Sequence, residues 1–209
     1  MVYGIIIHSP DNAEQLYFST YYGIDNCDEK QRSIQQVIIN KVIEEIKYYE
    51  EEKENSEHVK KNNKEQYLDL FGVIRSSKRV DNEVKIENEG FFCISDYSLF
   101  KDTVNVLWKT LNKICYTLIL FTHENILLAN HFLTIFINAL KEHQDKKKKI
   151  TKQNMNTFNP DTILATLYFF LPKGHLMLIS HSYAKFLNNE VVNFIENKSQ
   201  LKNNNHKHI

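Results

Sequence analysis

The stretch Ile114–His143, ICYTLILFTHENILLANHFLTIFINALKEH, changes its hydrophobic period once and thereby decides how the rest of the chain is arranged. Residues 115–121 are apolar on both parities, which predicts a strand that is covered on both faces of its sheet. Polar residues then interrupt the run, and Glu124 or Asn125 can cap a helix that starts near Ile126. The stretch therefore predicts a central strand that leads into a helix.

This helix has one narrow polar stripe and is apolar almost everywhere else. The stripe recurs every three or four residues and consists of Asn130, Thr134, Asn138 and Lys141. The remaining circumference carries mainly large apolar side chains, namely Ile126, Leu128, Leu133, Ile135, Phe136 and Leu140. A helix of this kind is covered on more than one side, so other elements must pack on it and on the strand.

The N-terminal segments supply two more strands and a long helix. Val2–His8 is apolar on both parities, which predicts a central strand beside residues 115–121. A turn over residues 10–12 leads into residues 15–22, whose alternating pattern is typical of a strand nearer the sheet edge. Apolar residues then recur every three or four positions, which predicts a helix over residues 29–49 on one face of the sheet.

Two further strands are predicted before the central one. Residues 70–74 form a short apolar run, and residues 104–111 alternate in the way expected of a half-buried strand. Asn112 and Lys113 supply a two-residue turn into the strand that starts at Ile114.

The C-terminal part predicts helices only. Asn159 is a candidate cap, Pro160 suits the first helical position, and the helix extends over residues 161–171. A short extended run follows, and a last amphipathic helix over residues 182–197 places Tyr183, Leu187, Val191 and Ile195 on one face. The chain is thus an α/β protein with a five-stranded mixed sheet, helices on both faces and extra C-terminal helices.

The domain organisation is predicted to be simple. Residues 1–197 form one domain, and the polar tail 198–209 is loose. Three low-complexity segments, near residues 50–66, 80–102 and 144–156, are interpreted as insertions between elements of this domain. The first of them is predicted to be a solvated extension of the preceding helix that loses its order.

Composition excludes several classes of protein. The chain has 26 Lys+Arg and 26 Asp+Glu, so no net basic field draws it onto nucleic acid. Its three cysteines, Cys27, Cys93 and Cys115, form no CxxC pair, which argues against a disulfide framework and for a reducing compartment. The chain opens on a strand where a signal peptide would carry a basic region, and no apolar run reaches the roughly 18 to 20 residues of a membrane span.

The candidate catalytic and metal-binding groups have simpler explanations. His123, Glu124 and His131 suggest a metal site, but a zincin helix needs its histidines four residues apart, and these are separated by eight. His8 and the cysteines have no partner in sequence for a nucleophile and base, and five scattered glycines assemble no phosphate loop. No catalytic, cofactor-binding or metal-binding residue is therefore predicted. The run Lys146–Lys149 could touch anionic lipid, although a solvated loop explains it as well.

Four pieces of sequence resemble one known family. They are MVYGIIIHS at residues 1–9, GVIR at 72–75, HENILLAN at 123–130 and ILATLYFFLPKGHLMLI at 163–179. In this wording and order they resemble the sigma subunits of adaptor protein complex 5, whose fold is the longin fold. The second and third long pieces, HENILLAN and FLPKG followed by LMLI, are the specific ones, and the lysine- and asparagine-rich segments are where the chain departs from the family.

The resemblance implies a non-enzymatic small subunit. In the family it is held with two large subunits and a medium subunit in a heterotetramer that sorts cargo in vesicle-mediated transport at late endosomes and lysosomes. Such a subunit is cytoplasmic and peripheral to the membrane, and the family's complex is associated with spatacsin and spastizin. No residues of a dileucine pocket are carried over, because no matching motif is found.

Two alternatives differ in class from the adaptor hypothesis. A small cytosolic enzyme on a similar sheet would need converging titratable groups in a cleft, and the sequence offers only scattered histidines. A longin-bearing SNARE or tethering-complex subunit is the other. A SNARE would continue into several heptads, whereas this chain stops at Ile209 after one short helix.

Overall fold

The computed structural model describes residues 1–22, 28–59, 86–151 and 159–205. In these residues the elements follow the order β1 (Val2–His8), β2 (Leu16–Tyr21), α1 (Asp28–Val59), β3 (Asn88–Ile94), β4 (Val104–Leu111), β5 (Ile114–Phe121), α2 (Ile126–Thr151), α3 (Pro160–Phe170), a 3-10 turn (Pro172–Gly174) and α4 (His181–Asn205). Two strands, a helix, three strands and then helices is the predicted order, with Asn88–Ile94 as a strand that was not predicted.

The five strands form one sheet in the order β2-β1-β5-β4-β3. β1 and β5 are neighbours at its centre and β2 lies at an edge, as predicted. The predicted mixed sheet is wrong in one respect, because all four pairings are antiparallel. Three of the pairings join strands that follow one another in the chain. The fourth joins β1 to β5, because β3 lies at the far edge and β4 and β5 follow it toward the centre of the sheet.

Helices cover both faces of the sheet, which confirms the prediction. On one face α1 buries Ile34, Ile38, Val42 and Ile46 against side chains of β4 and β5 such as Trp108. On the other face α2 buries Ala129, Phe132, Leu133, Phe136, Ile137 and Leu140, and α3 and α4 pack on α2 in turn. A helix apolar around most of its circumference is thus covered both by the sheet and by other helices.

β4 is more deeply buried than predicted. The half-buried strand is wrong, because all eight residues of Val104–Leu111 are buried. The strand is interior to the sheet and covered on both faces, so even Lys109 is only 3% exposed. Its Nζ donates to Glu89 Oε2 on β3 at 2.6 Å. The predicted turn into β5 is confirmed, since Asn112 and Lys113 have φ of 52° and 60°.

β3 lies inside a segment that the sequence analysis interprets as an insertion. Residues 88–94 pair with β4 along their whole length, so that interpretation of residues 80–102 is wrong for this part. Gly90 lies under the Trp108 indole, where a Cβ would come within 2.5 Å of the ring. A glycine in the middle of a strand weakens its sequence pattern, which is why β3 escaped prediction. The strand predicted at residues 70–74 lies outside the described residues.

Two helices are longer than predicted, whereas α1 has the extension that was predicted for it, since it continues to Val59. α2 continues to Thr151, so the loop predicted to start at residue 144 is wrong as far as residue 151. α4 continues to Asn205, so residues 198–205 of the predicted loose tail are helical. Lys, Glu and Gln favour helix without any apolar period, and the loss of that period was wrongly taken as the helix end. Residues 60–66, 152–156 and 206–209 lie outside the described residues.

The predicted helix caps are present. The Leu128 N–H donates to Asn125 Oδ1 at 3.0 Å, so Asn125 rather than Glu124 caps α2. The Asp161 N–H donates to Asn159 Oδ1 at 3.0 Å, and proline occupies the first turn of α3. Both caps satisfy N–H groups that have no partner within their helix.

The turn after α3 brings the chain back beside the sheet. Lys173 and Gly174 both have positive φ, at 51° and 77°. A Cβ on Gly174 would lie 2.7 Å from Cγ of Tyr22, the residue that follows β2. The PKG sequence is therefore explained by a left-handed turn that needs a glycine against the end of β2.

Candidate interaction surface

His123, Glu124 and His131 do not come together as a metal site. His123 is 72% exposed, its ring stacks on Phe121, and its Nε2 lies 3.4 Å from Glu124 Oε1. Glu124 also pairs with the Met1 amino group. His131 points elsewhere and donates from Nε2 to the Ile179 carbonyl at 2.8 Å. In the described ranges no group of three metal-ligating side chains comes together.

His8 and Cys115 come close to each other but are sealed in the core. The His8 Nδ1 donates to the Ser9 carbonyl at 2.8 Å, which leaves Nε2 to accept from Thr117 Oγ1 at 3.3 Å. Cys115 Sγ lies 3.6 Å from the same hydroxyl. Burial lowers the pKa of His8 to about 4 and raises the pKa of Cys115 to about 12. At neutral pH neither a charged imidazole nor a thiolate is present, so the cluster is structural.

Stability is expected to fall with acidification because of His8. Its pKa is about 4 in the folded chain and about 6.5 when unfolded, so the unfolded state binds the extra proton between these pH values. The free energy of unfolding falls by about 3 kcal/mol as a result. This loss is absent above about pH 6.5 and nearly complete at pH 4. Urea unfolding of the wild type and of His8→Gln at pH 7 and pH 4 measures it. An equal fall in both proteins would show that His8 does not cause the loss.

The remaining sequence candidates give no site. Cys93 Sγ donates to Asn105 Oδ1 across the β3–β4 pair at 3.1 Å, and Cys27 lies outside the described residues. Lys146 is exposed near the end of α2, and the structure does not describe the side chains of the next three lysines. That the chain has no catalytic, cofactor-binding or metal-binding residue stays a prediction.

Large exposed apolar side chains concentrate on α3, α4 and the segment between them. The described residues include ten such side chains, and six belong to this region: Leu164, Tyr168, Leu178, Tyr183, Phe186 and Phe194. Tyr168 is 71% exposed and Phe186 is 54% exposed. Exposed aromatic side chains that cluster in this way are typical of a surface that another protein covers.

Part of this surface forms a concave site between α3 and α4, here called the aromatic groove. It has a volume of about 480 Å³ and is lined by Tyr168, Phe169, Pro172, Lys173, Met177, Tyr183, Phe186, Leu187 and Glu190. Phe194 extends it, since its ring lies 6.5 Å from that of Tyr168 and 6.1 Å from that of Phe169. Tyr183 and Phe186 form a second stacked pair at 6.0 Å.

The chemistry of the groove suits binding and not catalysis. Lys173 and Glu190 are its charged members, and the other lining residues are apolar or aromatic. Rigid aromatic side chains supply much contact area at a low cost in conformational entropy. The aromatic groove can therefore hold apolar side chains of a partner.

This surface was not predicted from the sequence. The pattern of the last helix places Tyr183 on one face with Leu187 and Val191, but Tyr183 is 44% exposed whereas the other two are buried. A usable signal was present in α3, where apolar residues occupy nearly the whole circumference of a helix that lies at the protein surface.

In the described residues no helix is long and apolar enough to cross a membrane.

Comparisons with known proteins agree with the resemblance found in the sequence. The family model of the AP-5 complex subunit sigma-1 matches residues 1–192. No curated protein matches the chain. Among solved structures, a chain in a homology model of the full-length AP-3 complex in a stretched open conformation matches with 12% sequence identity and a TM-score of 0.50. The match covers 98% of this chain and 99% of that chain.

The two matches carry different weight. At 12% identity the structural match shows the fold alone, and it shows an α/β fold like that of an adaptor-complex chain over nearly the full length. The family model covers the whole sheet, α1 to α3 and the first half of α4, which confirms the resemblance. The chain therefore belongs to the family of AP-5 complex sigma-1 subunits.

Proposed function

We propose that this chain is the non-catalytic small subunit of a heterotetrameric adaptor complex that sorts cargo in endosomal and lysosomal vesicle transport. The observation that carries the proposal is the match of the AP-5 sigma-1 family over residues 1–192. Adaptor small subunits are a non-enzymatic kind of protein, and the two residues best suited to base and nucleophile, His8 and Cys115, are buried and neutral.

The partners in this proposal are two large subunits and one medium subunit, and the complex is further associated with spatacsin- and spastizin-like proteins. The chain acts on the cytoplasmic side of late endosomes and lysosomes, where the complex holds it at the membrane. A zero formal net charge is consistent with contacts to proteins and gives no attraction to nucleic acid.

The aromatic groove is the surface that we propose for one large subunit. Its aromatic side chains and the neighbouring Leu164 and Leu178 are exposed in the chain alone, and burying them releases about 25 cal/mol per Å² of apolar area. Interfaces of permanent complexes often exceed about 2,000 Å², so the groove would be the centre of a wider contact.

Co-expression with the matching large subunit is expected to raise the soluble yield and to give a complex with one copy of each chain. Size-exclusion chromatography with light scattering measures this for the chain alone and for the pair. The double variant Tyr168→Ser/Phe186→Ser is expected to lose the complex and keep its melting temperature, because both side chains are largely exposed. Tyr48→Ser, at a 57% exposed position on α1 across the sheet, is the matched control.

The contrary result is a monodisperse, thermally robust monomer that binds none of the large adaptor chains offered to it. That outcome would remove the adaptor proposal and reopen the enzyme alternative. If Tyr168→Ser/Phe186→Ser still formed the complex, the large subunit would bind elsewhere on the chain.

A further inference from the structure

We propose that the outer edge of β2 binds an extended strand of the large subunit that covers the aromatic groove, so that the partner adds a sixth strand to the sheet. The inference rests on the proposed function and adds to it a second contact of different chemistry, made by main-chain hydrogen bonds. It follows from the register of β2, from its composition and from its position beside the groove.

The register shows which backbone groups of β2 face outward. The Tyr22 N–H donates to the Tyr3 carbonyl at 2.8 Å, next to the opposed pair Gly4 and Tyr21. In two antiparallel strands, hydrogen-bonded and non-hydrogen-bonded residue pairs alternate. The pair next to the Tyr22–Tyr3 bond is therefore not hydrogen-bonded, and its N–H and C=O groups point away from the neighbouring strand. Since this orientation alternates along a strand, the N–H and C=O groups of Tyr21 and Ser19 point away from β1, and those of Thr20 point toward it.

In the part of the chain that the structure describes, no backbone pairs with these outward groups. Within that part β2 is the terminal strand of the sheet, and its one neighbour is β1. Among the described residues no backbone group bonds to the outward N–H and C=O groups of Ser19 and Tyr21. An extended backbone is the partner that can satisfy both residues at once, because they are spaced by the two-residue repeat of a strand.

The composition of β2 leaves this edge unprotected. Its sequence LYFSTY has no charged residue, no proline and no glycine, which are the usual means of preventing edge pairing. The one irregularity of register in the β1–β2 pair lies between Ile7 and His8, beyond Phe18, so the outward positions lie on regular strand. β3 at the opposite edge differs, since it carries Glu89 in an ion pair and Gly90 in its middle.

The position of β2 indicates the occupant. Pro172 and Lys173 line the aromatic groove, and Gly174 packs against Tyr22, so the groove lies beside the end of this edge strand. A partner seated in the groove reaches the edge without a separate interface. A second copy joined through β2 alone would bury far less than the roughly 1,200 to 2,000 Å² of a stable interface.

Residue-resolved hydrogen exchange on the free chain and on the purified complex with the large subunit tests the inference. The amides of Ser19 and Tyr21 are expected to exchange freely in the chain alone and to slow by about tenfold or more in the complex. The amides of Thr20 and Tyr22 already bond to β1 and serve as internal controls that change little on binding.

A proline at the outward position gives an independent test. Ser19→Pro removes an N–H that faces away from β1, and an edge strand tolerates proline there. Ser19→Pro is expected to weaken binding of the large subunit by about tenfold, because one or two hydrogen bonds are lost. Ser19→Thr keeps the N–H and is expected to bind like the wild type. If Ser19→Pro does not fold, Ser19→Lys places a charge on the same edge and has the same expected effect.

The outcomes separate the two proposals. A complex in which the Ser19 and Tyr21 amides exchange as fast as in the free chain overturns the strand inference and leaves the adaptor function standing. Failure of the chain to bind any large subunit overturns both. If these amides exchange slowly in the chain alone and light scattering gives the mass of a dimer, a second copy of the chain occupies the edge. That result overturns the proposal that a strand of the large subunit pairs with β2.

Discussion

Phe136→Asp is expected to abolish folding. Phe136 has no exposed surface, and its ring lies 5.8 Å from that of Phe132 in the layer between α2 and the sheet. An isolated carboxylate in such a place costs several kcal/mol, and loss of the ring costs about 3 to 5 kcal/mol more. The sum approaches the whole stability of a typical domain, about 5 to 15 kcal/mol.

The matched control is Leu127→Asp, which introduces the same charge on the same helix at a position that is 54% exposed. Circular dichroism during heating measures both. We expect a cooperative transition near that of the wild type for Leu127→Asp and no cooperative transition for Phe136→Asp. A transition for Phe136→Asp within a few degrees of the wild type would contradict the burial of this face of α2.

Glu89→Gln is expected to destabilise the fold by about 3 kcal/mol, the cost of removing one partner of a buried ion pair. Lys109 is 3% exposed, and Glu89 Oε2 lies 2.6 Å from its Nζ. The amide keeps the size and shape of the carboxylate but not its charge, so the cost reports the loss of charge compensation and not of packing. Urea unfolding at neutral pH measures the difference.

Combining Glu89→Gln with Lys109→Met is the control. Methionine is close to lysine in length and has no charge to bury, so the double variant is expected to recover most of the lost stability. The coupling energy between the two sites is the relevant quantity. A double variant less stable than Glu89→Gln alone would show that the charge of Lys109 is satisfied without Glu89.

Features with a local physical cause could be predicted from the sequence. β1, β5 and the start of α2 were placed within a residue or two, because continuous apolar runs and the asparagine cap act over a few neighbouring residues. The two-residue turn at Asn112 and the cap and proline of α3 are of the same kind. The assignment of residues 1–197 to one domain stays a prediction.

Features that depend on distant residues could not be predicted. The alternating pattern of residues 104–111 predicts a half-buried strand, but even Lys109 is buried because β4 is interior and both faces of the sheet are covered. β3 was missed because Gly90 is required by the indole of Trp108, 18 positions away in the sequence. The direction of the strands likewise follows from the return of β5 beside β1.

The two proposed interaction surfaces belong to this second group. The family, the central strand and the helix after it could be predicted, since they depend on residue type and spacing, but neither surface was. The groove between α3 and α4 and the outward-facing Ser19 and Tyr21 became visible only when the elements were packed together. The reason is physical: which side of an element is left uncovered is set by what packs against its other side.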